Sequence, residues 1–321
     1  MRSSESRTPN RKSRPVSGIV LLDKPQGLSS NQALQRAKWI FSASKAGHTG
    51  SLDPMATGLL PVCFGEATKI AGHLLGSHKA YAAQIRLGVS TDTDDAEGNV
   101  VETCNVPELT IAELESAVAT LRGRIQQLPP IYSALKQAGV PLYKRARRGE
   151  HVEVSARAVE VHRLDIERFE FDRIDVHVEC GSGTYIRSLA RDLGQRLGCG
   201  AHLTALRRLW VAPFMTPEMY DLASLQERHE EGGNAAIDAL LLPVEAGLAG
   251  LPTLHLDSVQ SAQLRHGQRL QVVAVPSSGL HRALDPHDQL VALVEIEANG
   301  RVRVNRGFNS VQMQVDAVEG K

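Results

Sequence analysis

The sequence predicts an α+β fold: a large first region on a largely antiparallel mixed sheet, followed by a small β-rich module. Three observations predict it. Strand patterns cluster, with helices between them, rather than alternating as regular βαβ units. Ile174, Val176, Val178 and Cys180 alternate with Arg173, Asp175, His177 and Glu179, which gives one strand a buried and a wet face. After Pro243 the texture changes to short strand candidates separated by turns.

In chain order, residues 1–16 read as a disordered basic tail, and Ile19 to Leu22 as a buried strand turned by Gly27. Ser29 or Ser30 can cap a helix running to about Phe41, and Glu66 to Leu75 reads as a helix leading into a strand from Tyr81 to Leu87. Thr110 with Glu113 forms a capping box for a helix whose Ile111, Leu114, Val118 and Leu121 share one face. Val159 to Phe171 and Arg173 to Cys180 pair as antiparallel strands. Thr184 to Leu197 returns to helix, with Tyr185, Ile186, Leu189, Leu193 and Leu197 on its apolar side and Gly198 and Gly200 beyond its end. Ala246 to Pro252 reads as a domain boundary. Strands are expected beyond it around Gln271 to Val275, Leu290 to Ile296 and Val302 to Phe308, with a turn at Asn299-Gly300.

One loop stands apart. From Gly47 to Pro61 the chain reads GHTGSLDPMATGLLP. Its glycines permit positive φ or close approach, and Pro54 pushes Asp53 toward extended backbone. The run therefore aims one carboxylate. An Asp-Pro loop is by itself most often a turn or a cap, so the chemistry rests on what else matches.

Several segments match together. The loop and its continuation Cys63 to Lys69, the opening Gly18 to Gly27 with Ser29, Ser30 and Asn31, Tyr81 with Arg86-Leu87-Gly88 and Thr91 to Asp95, and finally Gly183 to Arg187 with Leu206 to Leu209 resemble, in order, the motifs of the TruB family of tRNA pseudouridine synthases. The resemblance runs from about Gly18 to about Trp210. It implies a pseudouridine synthase-like catalytic domain over residues 17–250 and a PUA-like RNA-binding domain over 251–316. The implied partner is tRNA at its TΨC stem-loop, position 55, bound by a monomer. The rejoining of C5 to C1′ involves no redox step and no external energy, so no cofactor is expected.

The resemblance also implies roles. Asp53 is the catalytic aspartate and Arg187 its cationic partner; an apolar pocket raises a carboxylate's pKa, so a cation is needed to keep it charged. Tyr81 stacks on the target base and assists the later proton transfer, Tyr185 completes the uridine pocket, and Leu206 forms its apolar wall. His48 props the RNA once the uridine has been flipped out. Lys24 supports the loop or contacts phosphate, and Asp95 contributes near the pocket. The chain departs from the family at Ala82 and Ala83, where a larger or charged pair is usual. The route taken by Asp53, whether attack on the base, attack on C1′ or elimination to a glycal, stays open.

Composition bounds the alternatives. The formal net charge is zero, yet the first 45 residues and Arg122 to Arg148 are strongly basic, while acid gathers in Asp221 to Asp257. Cys63, Cys104, Cys180 and Cys199 show neither zinc-ligand nor disulfide spacing, so no metal is expected. No apolar run is long enough to span a bilayer and no secretory signal is evident, which leads us to expect a cytoplasmic protein. Two rival functions remain: a noncatalytic RNA-binding or tRNA-folding protein using the same pocket, and a nucleotide-phosphate enzyme. The second is disfavoured because the loop lacks the Gly-x-x-x-x-Gly-Lys-Ser/Thr spacing.

Overall fold

Two sheets organise the chain. The computed structural model describes residues 12–309 apart from 134, 138, 143–144, 146–147, 149, 151–153 and 273–276. Within them the larger sheet gathers β1 (Gly18–Lys24), β2 (Ala46–His48), β3 (Thr57–Phe64) and β4 (Lys79–Leu87). Small hairpins follow, β5 (Val89–Thr91) with β6 (Val100–Thr103), and β8 (Lys136–Gln137) with β9 (Val140–Pro141) after β7 (Gly123–Gln127). The large sheet is completed by β10 (Arg157–Glu170), β11 (Arg173–Cys180) and β12 (Ala201–Val211). Its order is β1-β3-β12-β4-β11-β10-β7, with β2 on β3, and only the β12–β3 contact is parallel. The largely antiparallel mixed sheet is thus the observed architecture.

The expected antiparallel pair is β10–β11, with Leu164 opposite Val178 and Phe169 opposite Ile174. Its alternation buries Ile174, Val176, Val178 and Cys180 against helices Ile111–Ala119 and Ile186–Arg196. The capping box forms as expected at Thr110 with Glu113, and Ser29, one of the two expected caps, closes a second box with Gln32. Helix Ser30–Ile40 packs with helix Leu222–Asp238 over β1 and β3 in a second apolar cluster.

Several expectations shift. Val16 is buried, and Arg14 donates from its backbone to Ser42 O and forms an ion pair with Asp238. The chain therefore enters the fold before residue 17; residues 1–11 of the expected tail lie outside the described residues. Residues 66–75 are not one helix but a 3-10 turn, Gly65–Ile70, followed by helix Ala71–Leu75. Gly65 at φ +53 packs against Val16 O, and the tighter winding turns the chain sharply out of β3. The Gly47–Pro61 run is more than a loop, since β2 and the first half of β3 bracket it.

The C-terminal sheet has the order β13 (Thr253–His255), β15 (Gly279–Leu284), β16 (Leu290–Ile296), β17 (Arg301–Gly307), β14 (Leu270–Gln271), with helix Ser258–Arg265 against it. Part of the strand expected at 271–275 lies outside the described residues. Leu284, Leu290, Leu293 and Phe308 join Ile70, Leu74 and Leu248 in one apolar cluster. Lys69 also donates to Gly307 O, and Asn309 N donates to Glu66. The β-rich module is therefore fastened to the first region. No helix is long and apolar enough to cross a membrane among the described residues.

The parallel junction of β3 with β12 depends on Gly58, at φ +96, where a Cβ would lie 2.2 Å from Arg208 O and 2.8 Å from Arg208 N. Gly58→Ala should cost on the order of 2–3 kcal/mol by overpacking and strain. A thermal melt should show its midpoint lowered by several degrees; an unchanged midpoint would mean the two strands are not held this close.

Candidate active site

Asp53 is held from both sides. Ser30, the first residue of its helix, exchanges hydrogen bonds with Leu52: Leu52 N donates to its Oγ at 2.7 Å, and Oγ donates to Leu52 O at 3.0 Å. On the far side Gly27 N donates to Pro54 O at 2.8 Å, and Ala56 N closes a turn onto Asp53 O at 3.1 Å. Lys24 lies beneath, fully buried, donating to Pro25 O and Leu28 O with a longer contact to Pro54 O. Apart from the buried Lys24 ammonium every partner is backbone or a short hydroxyl, so the carboxylate has little freedom to wander.

Arg187 faces it from the first turn of helix Ile186–Arg196, with Nε 3.0 Å from Asp53 Oδ2. That N–H is not aligned as a hydrogen bond, so charge carries the contact. The rest of the guanidinium is fully engaged: Nη1 donates to Thr93 O and lies 3.3 Å from Asp95 Oδ2, and Nη2 donates to Tyr132 O. Asp95 is in turn fixed by Thr93 Oγ1 and Glu97 N. Burial pushes the Asp53 carboxyl above its ordinary range, Arg187 pulls it back, and Asp95 pushes it up again.

The pair opens into a cleft of about 520 Å³ that Tyr81, Tyr185, Leu206, Lys79, Arg157 and Arg208 also line. Tyr81 projects from β4, buried to 7% exposure, and burial raises its hydroxyl to about 12 despite a hydrogen bond from Arg208. It is therefore a neutral phenol at pH 7, a ring to stack on rather than a ready base. Tyr185 sits at the helix N-cap, its backbone clamped by Gln127 in both directions, under the guanidinium of Arg157 at 5.0 Å. Arg208, fully buried, donates to Leu59 O and Gly50 O and so ties the aspartate-bearing segment to β12.

The structure thus brings Asp53, Arg187, Tyr81, Tyr185 and Leu206 around one cavity. The other three expected site residues do not line the cavity. Lys24, with no exposed surface, supports the loop and touches no solvent for a phosphate to occupy; burial lowers it to about 8. Asp95, 2% exposed, braces Arg187 from behind rather than facing the cleft. His48 ends β2 half-buried, its Nδ1 buried without a partner, and does not line the cavity; burial and nearby Arg208 lower its pKa. Ala82 and Ala83 pair with Arg207 and Leu206 inside the sheet, also away from the cavity. Sequence reasoning missed Lys79, Arg157, Arg208 and Gln127. Lys79 carried a usable signal, two residues before Tyr81 and hence on the same strand face, and Arg208 stood within the Leu206 to Leu209 motif with no role assigned to it. Among the described residues no group of His, Cys, Asp and Glu is arranged to hold a metal.

Comparison with known proteins now bears on this geometry. Residues 38–186 match the TruB family pseudouridylate synthase N-terminal domain, 187–249 the tRNA pseudouridylate synthase B C-terminal domain, and 251–304 the tRNA pseudouridine synthase II C-terminal domain. A protein named tRNA pseudouridine synthase B from Xanthomonas campestris is 56% identical, covering 93% of this chain and 96% of the relative. Its counterpart from Stutzerimonas stutzeri is 48% identical over 92% of this chain and 97% of the relative. Among solved structures, a Cbf5-Nop10-Gar1 complex aligns with a TM-score of 0.73 at 25% identity, covering 95% of this chain and 91% of that one.

Proposed function

Because the chain belongs to the TruB family of pseudouridine synthases, we propose that it isomerises the uridine at position 55 of the tRNA TΨC loop, flipped into the cleft that holds Asp53. Uridine-to-pseudouridine isomerisation in tRNA is the family's chemistry; the position, the flipping and the role of each residue are our reading. The observation that carries it is the 3.0 Å contact of Asp53 with Arg187 inside a cavity walled by Tyr81, Tyr185 and Leu206.

The chain's residues divide the work. Tyr81 and Tyr185 offer faces for a pyrimidine, and Leu206 excludes water from it. Asp53, anionic beside Arg187, attacks or stabilises charge as the bond between N1 and C1′ breaks. The freed base turns while held and C5 joins C1′; a base then takes the proton from C5, N1 gains one, and the net change is an isomerisation. Because burial keeps the Tyr81 phenol protonated, it acts here by stacking and by hydrogen bonding. The C-terminal sheet extends the contact surface for RNA, and one chain supplies every group named.

Incubation with a tRNA transcript tritiated at uridine C5 tests the reading. Release is expected from the native transcript and should vanish when the single uridine at position 55 is replaced by cytidine. Undiminished release from the replaced transcript would refute the position.

A further inference from the structure

The charge of the cleft is unbalanced. Its lining contains four cations, Lys79, Arg157, Arg187 and Arg208, and one anion, Asp53, which is already paired with Arg187. Arg208 is occupied by Leu59 O, Gly50 O and Tyr81. The surplus therefore lies with Lys79 and Arg157, and among the described residues neither has a carboxylate within ion-pair distance. Unpaired charge at a buried position such as that of Lys79 is costly, and folds retain it where a ligand supplies the counter-charge.

The two cations bracket one turn. Lys79 is 7% exposed and donates to Ser77 O and to Leu75 O. Leu75 O also accepts from Ser182 Oγ, in the Gly181-Ser182-Gly183 turn. Arg157 reaches the other end of the same turn through Gly183 O, and its Nε is buried with no hydrogen-bond partner among the described residues. Each cation keeps donor capacity that the described residues leave unused. Lys79 also projects from the same face of β4 as Tyr81, roughly 6–7 Å along the strand, and both line the cavity that holds Asp53.

We propose that Lys79 and Arg157 form an anion subsite that grips a phosphodiester flanking the target uridine while its base lies against Tyr81. The inference rests on reading the cleft as the uridine site. Its chemistry is charge-assisted: an ammonium point charge and a guanidinium edge converge on oxygen atoms that every RNA substrate carries beside the flipped base. Burial and Arg208 lower Lys79 to about 8, with Cys180 opposite it on β11 acting the other way. It is still predominantly an ammonium at pH 7, and a bound phosphate holds it so. The grip fixes the nucleotide at its backbone, so the base can be released and turned without the sugar leaving Asp53.

The test is a cycle of two changes, one in the protein and one in the RNA. Native protein, Lys79→Met, Lys79→Arg and Arg157→Gln are each assayed for kcat/KM on a TΨC stem-loop and on stem-loops with a neutral methylphosphonate 5′ or 3′ of the target uridine. Losing one charged hydrogen bond is expected to cost native protein about 10- to 100-fold on one of the two modified RNAs. Lys79→Met should lose as much on unmodified RNA and little more on that modified RNA, with Lys79→Arg partly restored. Losses that multiply independently, or native protein indifferent to both modified linkages, would overturn the subsite. Should Lys79→Met fail to fold, native protein with Arg157→Gln completes the same cycle. Absence of turnover by native protein on unmodified RNA would instead strike the functional reading beneath it.

Discussion

Asp53→Ala is expected to release no tritium above background from C5-labelled uridine in tRNA, a fall of at least about 10³-fold, because it removes a group that acts on the reacting atoms. Binding of the transcript should survive, since Tyr81, Tyr185, Lys79 and Arg157 remain. Equal release from native and variant protein would take the aspartate out of the mechanism. A protein acting only in RNA folding would behave that way.

The same aspartate carries a pH signature. Burial raises its folded pKa above the unfolded value, so its contribution to stability is fully present below the unfolded pKa and is lost as pH rises through the folded one. The anion needed for chemistry is thus mildly unfavourable to the fold at neutral pH. Asp53→Asn should therefore be inactive and yet melt no lower than native protein at pH 7, because Arg187 keeps Asp95. The native kcat/KM should fall on acidification with a midpoint above the ordinary carboxylate range. A substantially lower melting midpoint for Asp53→Asn at pH 7 would contradict this balance.

Arg187→Met should damage both activity and fold. Its guanidinium is almost fully buried and meets Asp95, equally buried, at 3.3 Å, as well as the carbonyls of Thr93 and Tyr132. Removing one member of a buried pair leaves the other charge stranded, which costs about 3–5 kcal/mol; that corresponds to a fall in melting midpoint on the order of 10 °C. Turnover should be lost as well, since Asp53 would then keep only the repulsion of Asp95 and a distant Lys24. Pairing Arg187→Met with Asp95→Asn separates the two effects. Neutralising the stranded carboxylate should recover much of the stability and none of the turnover. If Arg187→Lys kept native turnover and midpoint, the planar fork would not be the anchor inferred here.

The placement of Lys24 and Asp95 shows how far a motif reaches. Both stand in segments whose resemblance to the family was plain; Lys24 was expected to support the loop or contact phosphate, and Asp95 to contribute near the pocket. The fold gives both interior posts, one under the Pro54 carbonyl and one behind Arg187. Which side of a short loop faces the cavity depends on how the loop docks, and no spacing along the chain encodes that.

Strand β12 is the larger omission. It lies inside the main sheet, between β3 and β4, yet residues 201–211 read AHLTALRRLWV with no steady alternation. Two register shifts against β4, at Leu203/Ala205 and Arg208/Trp210, break the period-2 pattern by which a strand is recognised. Its buried His202 and Arg208 look like surface residues in sequence because their partners, Val89 O, Leu59 O and Gly50 O, come from distant segments.

What the chain determined by itself was local and periodic: the alternation of β11, the capping boxes at Ser29 and Thr110, the tight glycine- and proline-set loop that aims Asp53, and the motifs that named a family. Those features need only neighbours within a few residues. Tertiary structure decided that Arg187, a partner only implied by the resemblance, arrives beside Asp53 from 134 positions away, that Asp95 stands behind it, and that Lys79 and Arg157 face the cleft with no carboxylate at ion-pair distance among the described residues. The reason is physical: an ion pair, a buried cation and a cavity wall are properties of surfaces brought together, set by Coulomb interaction and desolvation across space.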